Sequence, residues 1–273
     1  MKVLVTADVH LDAWQRAGRD PFPSLARALS TVDAVILAGD LTNNPRLRWS
    51  AALSRLSEIV APEKVYIFPG NHDYYHFRLD GDDVLRGIVE DAGMNWAQKA
   101  GLEFDGVRFL CATLWTDFLL SGSKTTAQNA AWFAMNDYRQ ISRNAAGDLL
   151  LPGHTSDLHA EHLAWLTDEI SRSFAGRTVI VTHHCPSPSA TGEVDRLTPA
   201  FTSNLDDWII RHRPDLWLFG HTHRHLSGRV GRTRIMNISL GYPDDVPSVR
   251  EAEILLRGLV DTESPGMLAY GPP

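Results

Sequence analysis

The chain has 273 residues, a formal net charge of −7, 44% hydrophobic and 22% charged side chains. That length buries a substantial core, the balance is that of an ordinary globular protein, and the acidic surface argues against a non-specific nucleic-acid binder. Cys111 and Cys185 are the only cysteines, each beside an apolar run, so no disulfide framework is expected and a reducing, cytoplasmic setting fits best. Asp8 comes too early for a signal peptide, and no apolar run is long enough to cross a bilayer.

Residues 2–6 form a short apolar run, expected as a buried strand, and it ends at Asp8 and His10. A short helix is expected over residues 24–29. A second buried strand over 32–38 ends in Gly39-Asp40, where the glycine allows close backbone approach to whatever Asp40 touches. A helix with an apolar stripe at Ala52, Leu53, Leu56, Ile59 and Val60 is expected over residues 49–60. The third strand, 65–68, runs into Pro69-Gly70-Asn71-His72-Asp73. Strand, helix, strand, helix, strand is the pattern of a parallel sheet, and all three strands deliver polar side chains at one end.

Residues 82–92 read as an acidic-capped helix. Residues 102–110 read as a hairpin around Asp105-Gly106, its second strand prolonged to Trp115. Residues 121–154 are irregular and polar, a length of insert that suggests a lid or binding loop, with 136–139 its densest polar group. A helix is expected over 155–174 with Thr155, Ser156 and Asp157 as possible caps; His159 and His162 on it are expected at the surface or boundary. The strand 178–182 ends in His183-His184. After a short helix over 203–211, the apolar run 216–219 leads into Gly220-His221-Thr222-His223. Hairpin strands around Gly231 and an apolar run at 252–256 follow, and the last dozen residues are expected to be loosely held. No repeat or long linker interrupts the chain, so residues 1–273 are expected as a single domain.

Five strand ends thus supply Asp8, His10, Asp40, Asn71, His183, His221 and His223. One tetrahedral zinc needs only three or four ligands. Seven, with one carboxylate shared, suit two divalent ions about 3.5–4 Å apart. Carboxylate, amide and imidazole together favour Mn, Fe, Zn or Co.

Asp8-x-His10, Gly39-Asp40, Gly70-Asn71-His72-Asp73, His183 and Gly220-His221-x-His223, in this order and each after a strand, resemble the five-part signature of the calcineurin-like metallophosphoesterases. The resemblance spans about residues 1–240, with Asp73 where many members carry Glu and His183-His184 offering two candidates for one ligand. It implies an α/β fold, a four-layer αββα sandwich of two mixed sheets flanked by helices, with a dimetal site at the strand ends. It implies Asp8, His10 and His223 on one metal, Asn71, His183 and His221 on the other, Asp40 bridging, and His72 as a catalytic histidine off the metals. The implied activity is hydrolysis of a phosphomonoester or phosphodiester by in-line attack of a metal-bridging hydroxide. His72 would protonate the leaving group and Asp73 would orient His72. A nuclease gripping nucleic acid through Arg224, Arg229, Arg232 and Arg234 is the alternative, and a metal-binding module without catalysis a more remote one. Tyr74, Tyr75, His76, Trp115, Thr116, Asp117, Tyr138 and Arg139 are candidates to line the pocket. No membrane partner is expected.

Overall fold

The computed structural model describes residues 1–264 and 266–268. Its first half runs β1 (Lys2–Thr6), α1 (Leu11–Arg16), α2 (Phe22–Leu29), β2 (Ala34–Ala38), α3 (Pro45–Ser57), β3 (Val65–Phe68), β4 (Phe77–Arg78), α4 (Asp82–Asp91) and β5 (Asn95–Trp96). Then come β6 (Ala100–Phe104), β7 (Val107–Ala112), α5 (Lys124–Ala134), α6 (Asp137–Gln140), β8 (Ile141–Ser142), α7 (Pro152–Ser171) and β9 (Arg177–Thr182). The chain closes with α8 (Asp206–His212), β10 (Leu216–Phe219), β11 (Ser227–Val230), β12 (Thr233–Asn237), α9 (Glu251–Leu255) and β13 (Leu259–Asp261).

Two sheets form. One has the order β13-β1-β2-β3-β5, the other β11-β12-β10-β9-β7-β6. Within each the inner strands are parallel, and β13, β11 and β6 run antiparallel at the edges. The inner strands β1, β2, β3 and β10 read as apolar runs because both their faces are covered. Val3, Val5, Ile36 and Phe68 point between the sheets to meet Phe109, Val179, Val181 and Leu218. Leu4, Val35 and Leu37 point outward to Trp14, Leu25, Trp49 and Leu53 of α1–α3. Leu110, Ile180 and Trp217 of the second sheet meet Leu166 of α7 and Ile209 of α8. The result is the expected α/β arrangement of two mixed sheets between helices.

Register decides where the site lies. Thr6 pairs Leu37, Ala38 pairs Phe68, and Thr182 pairs Phe219, so β1, β2 and β3 end level with one another, as do β9 and β10. Across the gap the two sets of ends are tied: the ring Nδ1 of His183 meets the Ala38 carbonyl at 2.9 Å, and the His221 N–H donates to Asp8 Oδ2 at 2.8 Å.

Several elements differ from expectation. The insert 121–154 is not irregular: it holds α5, α6 and β8, and β8 pairs in parallel with β4. Helix α7 starts at Pro152 rather than 155 and stops at Ser171. The strand expected to reach Trp115 ends at Ala112, after which Leu114 and Trp115 take φ of 73° and 52°. His159 and His162 are buried, each 3% exposed, not at the surface. They bind that turn: the Leu114 N–H donates to His162 Nδ1 (3.1 Å), and His159 Nδ1 lies 3.2 Å from the Leu114 carbonyl. The apolar run near 252–256 is α9, and β13 beyond it had no counterpart in the sequence reading. Of the tail expected to be loosely held, Met267 is buried and its carbonyl accepts from Asp261 N–H (2.7 Å); residues 265 and 269–273 lie outside the described residues. Cys111 and Cys185 are free and buried, and no described helix is long and apolar enough to cross a membrane.

Candidate metal centre

All seven side chains singled out at strand ends meet at the carboxyl end of the two sheets. Five of them, Asp8, His10, Asp40, His221 and His223, sit in left-handed backbone with φ of 56°, 42°, 59°, 70° and 50°. Each such turn costs about 1–2 kcal/mol in an L-residue, and such strain persists where surrounding structure holds it, typically at functional sites. Two glycines make room. Gly39 has φ +91°, and a Cβ there would lie 2.5 Å from Gly70 N and 2.6 Å from His183 Nδ1. A Cβ on Gly70 would lie 2.3 Å from Asp40 Oδ1.

The cluster has two halves. Asp8, His10 and His223 form one, Asp40, His183 and His221 the other, and His72 joins His10 and Asp40 in a third such group that overlaps both. His223 Nε2 is 3.2 Å from Asp8 Oδ1 and 3.2 Å from His10 Nε2. Asn71 Oδ1 is 3.0 Å from both His183 Nε2 and His221 Nδ1. Asp40 Oδ2 stands between the halves, 3.6 Å from His10 Nε2 and 3.5 Å from His183 Nε2. His184 belongs to neither half; its Nδ1 lies 3.2 Å from the Thr113 carbonyl, which leaves His183 as the one of the pair at the centre.

Electrostatics divide the same groups. Burial opposes charge on Asp8 and Asp40, but the neighbouring histidines, His223 foremost for Asp8 and His183 for Asp40, hold both carboxyls below their usual range. Burial would likewise take the extra proton from His183, yet Asp40 and Asp8 carry it up to about 9. His10 and His221 are taken down to about 3 by burial. The site's acids thus attract positive charge while two of its imidazoles present neutral lone pairs.

A pair of divalent ions fits that donor set. His221 Nε2 is buried without a hydrogen-bond partner, and the facing Nε2 atoms of His10 and His223 can share at most one hydrogen. Imidazole lone pairs converging on buried carboxylates with too few hydrogens between them are what a borderline transition ion satisfies.

His72 sits beside this cluster. Its N–H donates to Asp40 Oδ1 (2.9 Å) and its ring stacks on Tyr75 with centroids 4.2 Å apart. The expectation that Asp73 orients His72 is not met. Asp73 is fully buried and its oxygens accept from the backbone N–H groups of Asp40, Leu41, Thr42 and Gly70 and from Trp49 Nε1. Burial and the charge on Asp40 push its pKa up to about 7, while those donors pull the other way. Asp73 shapes the Asp40 and Gly70 loops. The partner of His72 is Asn43, whose Oδ1 faces His72 Nδ1 at 2.9 Å. That oxygen only accepts, so Nδ1 carries the hydrogen and Nε2 is the atom free to exchange a proton.

A cavity of about 420 Å³ opens onto Asn71, His72, His221 and His223. Tyr75, Tyr242, Ala134, Met135 and Phe201 give it apolar lining, buried Thr191 and Thr198 polar lining, and exposed Asp195 and Arg224 its mouth. Tyr242 stacks on His10 at 4.5 Å, its loop pinned where Trp14 Nε1 donates to the Gly241 carbonyl (3.1 Å). Of the candidates for lining residues, Tyr75 alone is among those lining this cavity. Tyr74 is buried and donates to Asp82 (2.5 Å), Tyr138 pairs with Thr155 (3.1 Å), Arg139 donates to the Phe133 carbonyl, and Trp115 and Thr116 are buried elsewhere. Of the four arginines, Arg224 reaches the mouth. Arg229, Arg232 and Arg234 surround the β11–β12 turn, at the end of β12 opposite the site.

The comparisons with known proteins agree with this geometry. The calcineurin-like phosphoesterase profile matches residues 1–225. The chain belongs to the calcineurin-like phosphoesterase family. An uncharacterized protein of Acanthamoeba polyphaga mimivirus is 23% identical over 209 residues, 68% of this chain and 70% of that one. Among solved structures, the phosphopantetheinyl hydrolase of Mycobacterium tuberculosis superposes with a TM-score of 0.67 at 20% identity, covering 89% of this chain and 90% of the other. A dimetal phosphatase from Danio rerio superposes with a TM-score of 0.51 at 16% identity, covering 87% and 86%. This calcineurin-like phosphoesterase is therefore a metal-dependent phosphoester hydrolase in general type, and the His/Asp groups gathered at the strand ends are its candidate metal-binding groups.

Proposed function

We propose that this calcineurin-like phosphoesterase cleaves phosphodiesters carrying a bulky organic group, with phosphomonoesters as poorer substrates. The observation that carries the reading is the cavity wall beside the seven converging side chains. Tyr75, Met135, Phe201 and Tyr242 offer apolar surface for a second ester group, and Arg224 is the one cationic side chain among the lining residues outside the histidines.

Asp8, His10 and His223 would hold one ion and Asn71, His183 and His221 the other, with Asp40 between them. When bound, two such ions supply positive charge for the phosphoryl oxygens and acidify water. The donors suit manganese, iron, zinc or cobalt. His72, beside His10 and Asp40, is assigned to neither ion, and its Nε2 can hand a proton to the leaving oxygen while Asn43 fixes the ring. The Tyr75 stack limits ring rotation. The retained ligand positions and His72 weigh against a binding module without catalysis. The three arginines placed away from the mouth weigh against a nuclease. Free, buried Cys111 and Cys185 fit a reducing, cytoplasmic setting.

The test is a substrate panel on metal-reconstituted protein: p-nitrophenyl phosphate, its bis-ester, cyclic nucleotides, single-stranded DNA and a phosphopantetheinyl ester. The last is included because the M. tuberculosis neighbour is a phosphopantetheinyl hydrolase. The bis-ester should turn over at least about tenfold faster than the monoester, DNA should stay intact, and Asn71→Ala should abolish both reactions. A monoester preference would contradict the diester reading, and DNA cleavage would restore the nuclease.

A further inference from the structure

The insert carries a buried carboxylate that the reaction leaves unassigned. Asp137, on α6, is 3% exposed. Asn71 Nδ2 donates to its Oδ1 at 2.8 Å, and the Tyr75 hydroxyl lies 3.4 Å from its Oδ2. It has no lysine or arginine partner among the described residues. Burying a carboxylate without a cationic side chain is costly, and polar groups of this kind collect at functional sites.

The cost has a counterpart at Asn71. An amide side chain is nearly symmetric in shape, with an acceptor oxygen on one branch and two donor hydrogens on the other. Only the oxygen can serve a cation. Here Oδ1 faces His183 and His221 at 3.0 Å each, and Nδ2 faces away, onto Asp137. Turned over, the amide would set its oxygen against the Asp137 carboxylate and its NH₂ toward the cations. Both changes are repulsive.

The placement of Asp137 is built rather than incidental. The His76 N–H donates to the Gln140 carbonyl at 2.8 Å, and Phe77 and Arg78 pair with Ile141 and Ser142. The segment following Asn71 is thereby stitched to the segment following Asp137. We propose that Asp137 is a positioning residue that locks the Asn71 amide with its oxygen toward the second metal, making α6 a brace for the metal centre. The proposal rests on the dimetal reading above.

The experiment counts ions and measures their affinity in calorimetric Mn²⁺ titrations, with bound metal checked by elemental analysis. Asp137→Asn keeps the shape but can donate to Asn71 Oδ1, which frees the amide to turn. The wild type should bind two ions per chain, and Asp137→Asn should bind the second about 10–100-fold more weakly. Tyr75→Phe, which removes the other donor to Asp137, should keep two. The decisive arm is the exchange Asn71→Asp with Asp137→Asn. A carboxylate at position 71 has an oxygen on both branches and needs no orienting, while the amide introduced at position 137 can donate to it. The exchange should recover tight binding of the second ion, an outcome a merely structural role would not produce. Thermal melts of the metal-free variants report folding, and Asp137→Ser, expected to weaken the second ion equally, covers the case in which Asp137→Asn does not fold. Two ions bound with unchanged affinity in Asp137→Asn, or no recovery in the exchange, would overturn the positioning role alone. Fewer than two ions on the wild type would overturn the dimetal reading, and the proposal with it.

Discussion

Proton placement at His72 is the most exposed point of the chemistry. The ring is fixed from one side by Asn43 at 2.9 Å and from its face by Tyr75 at 4.2 Å. Removing the ring removes the acid, so His72→Ala should cost about 10²–10⁴-fold in kcat on alkyl esters, and far less on a nitrophenyl ester that leaves without a proton. Asn43→Ala should keep the ring but lose its orientation, lowering kcat on the same alkyl esters about tenfold with both metals retained. Metal loss in Asn43→Ala would refute this division of labour. Single residues also mark where sequence reading stopped. Asp73 follows His72 directly, which made it the natural partner. The two lie in a 3₁₀ turn, where successive side chains diverge by about 120°, so Asp73 points into the loops instead. Asn43 carried no signal, since an Asn three residues past Asp40 reads as an ordinary turn.

At the scale of elements, α7 shows how a helix supports the site from behind. His162 accepts the Leu114 N–H through Nδ1, which requires a neutral ring, and burial takes its pKa down to about 3 from 6.5. The sign follows. An unfolded chain binds a proton here below pH 6.5 and the folded chain does not, so this contribution is complete above 6.5 and is lost as pH falls toward 3. His162→Asn, which offers an acceptor but does not titrate, should flatten the pH dependence of the unfolding free energy across that window by about one proton. Equal slopes in chemical denaturation would contradict it. The apolar stripe of α7 was legible, but its two buried histidines were not, because a histidine on such a stripe reads equally as boundary or core. Helix α5 escaped notice for a different reason: alanines 127 and 131 are its only buried side chains, too small to write an apolar stripe.

The whole molecule is arranged to bring strand ends from two sheets to one point. That convergence was readable because β1, β2, β3, β9 and β10 each announce themselves as an apolar run that ends in a polar cluster, as with Phe68 before Asn71 and Phe219 before His221. Edge strand β13, only three residues long, was not readable, nor was the left-handed backbone of Asp8, His10, Asp40, His221 and His223. Those strained turns, and the carboxylates and imidazoles buried with them, are tolerable if cations hold them together. The most direct test is to titrate divalent metal into chelator-stripped protein while following hydrolysis of bis(p-nitrophenyl) phosphate. Activity should start near zero and rise to a plateau at two equivalents per chain; full activity in the stripped protein, or a plateau at one equivalent, would contradict the account.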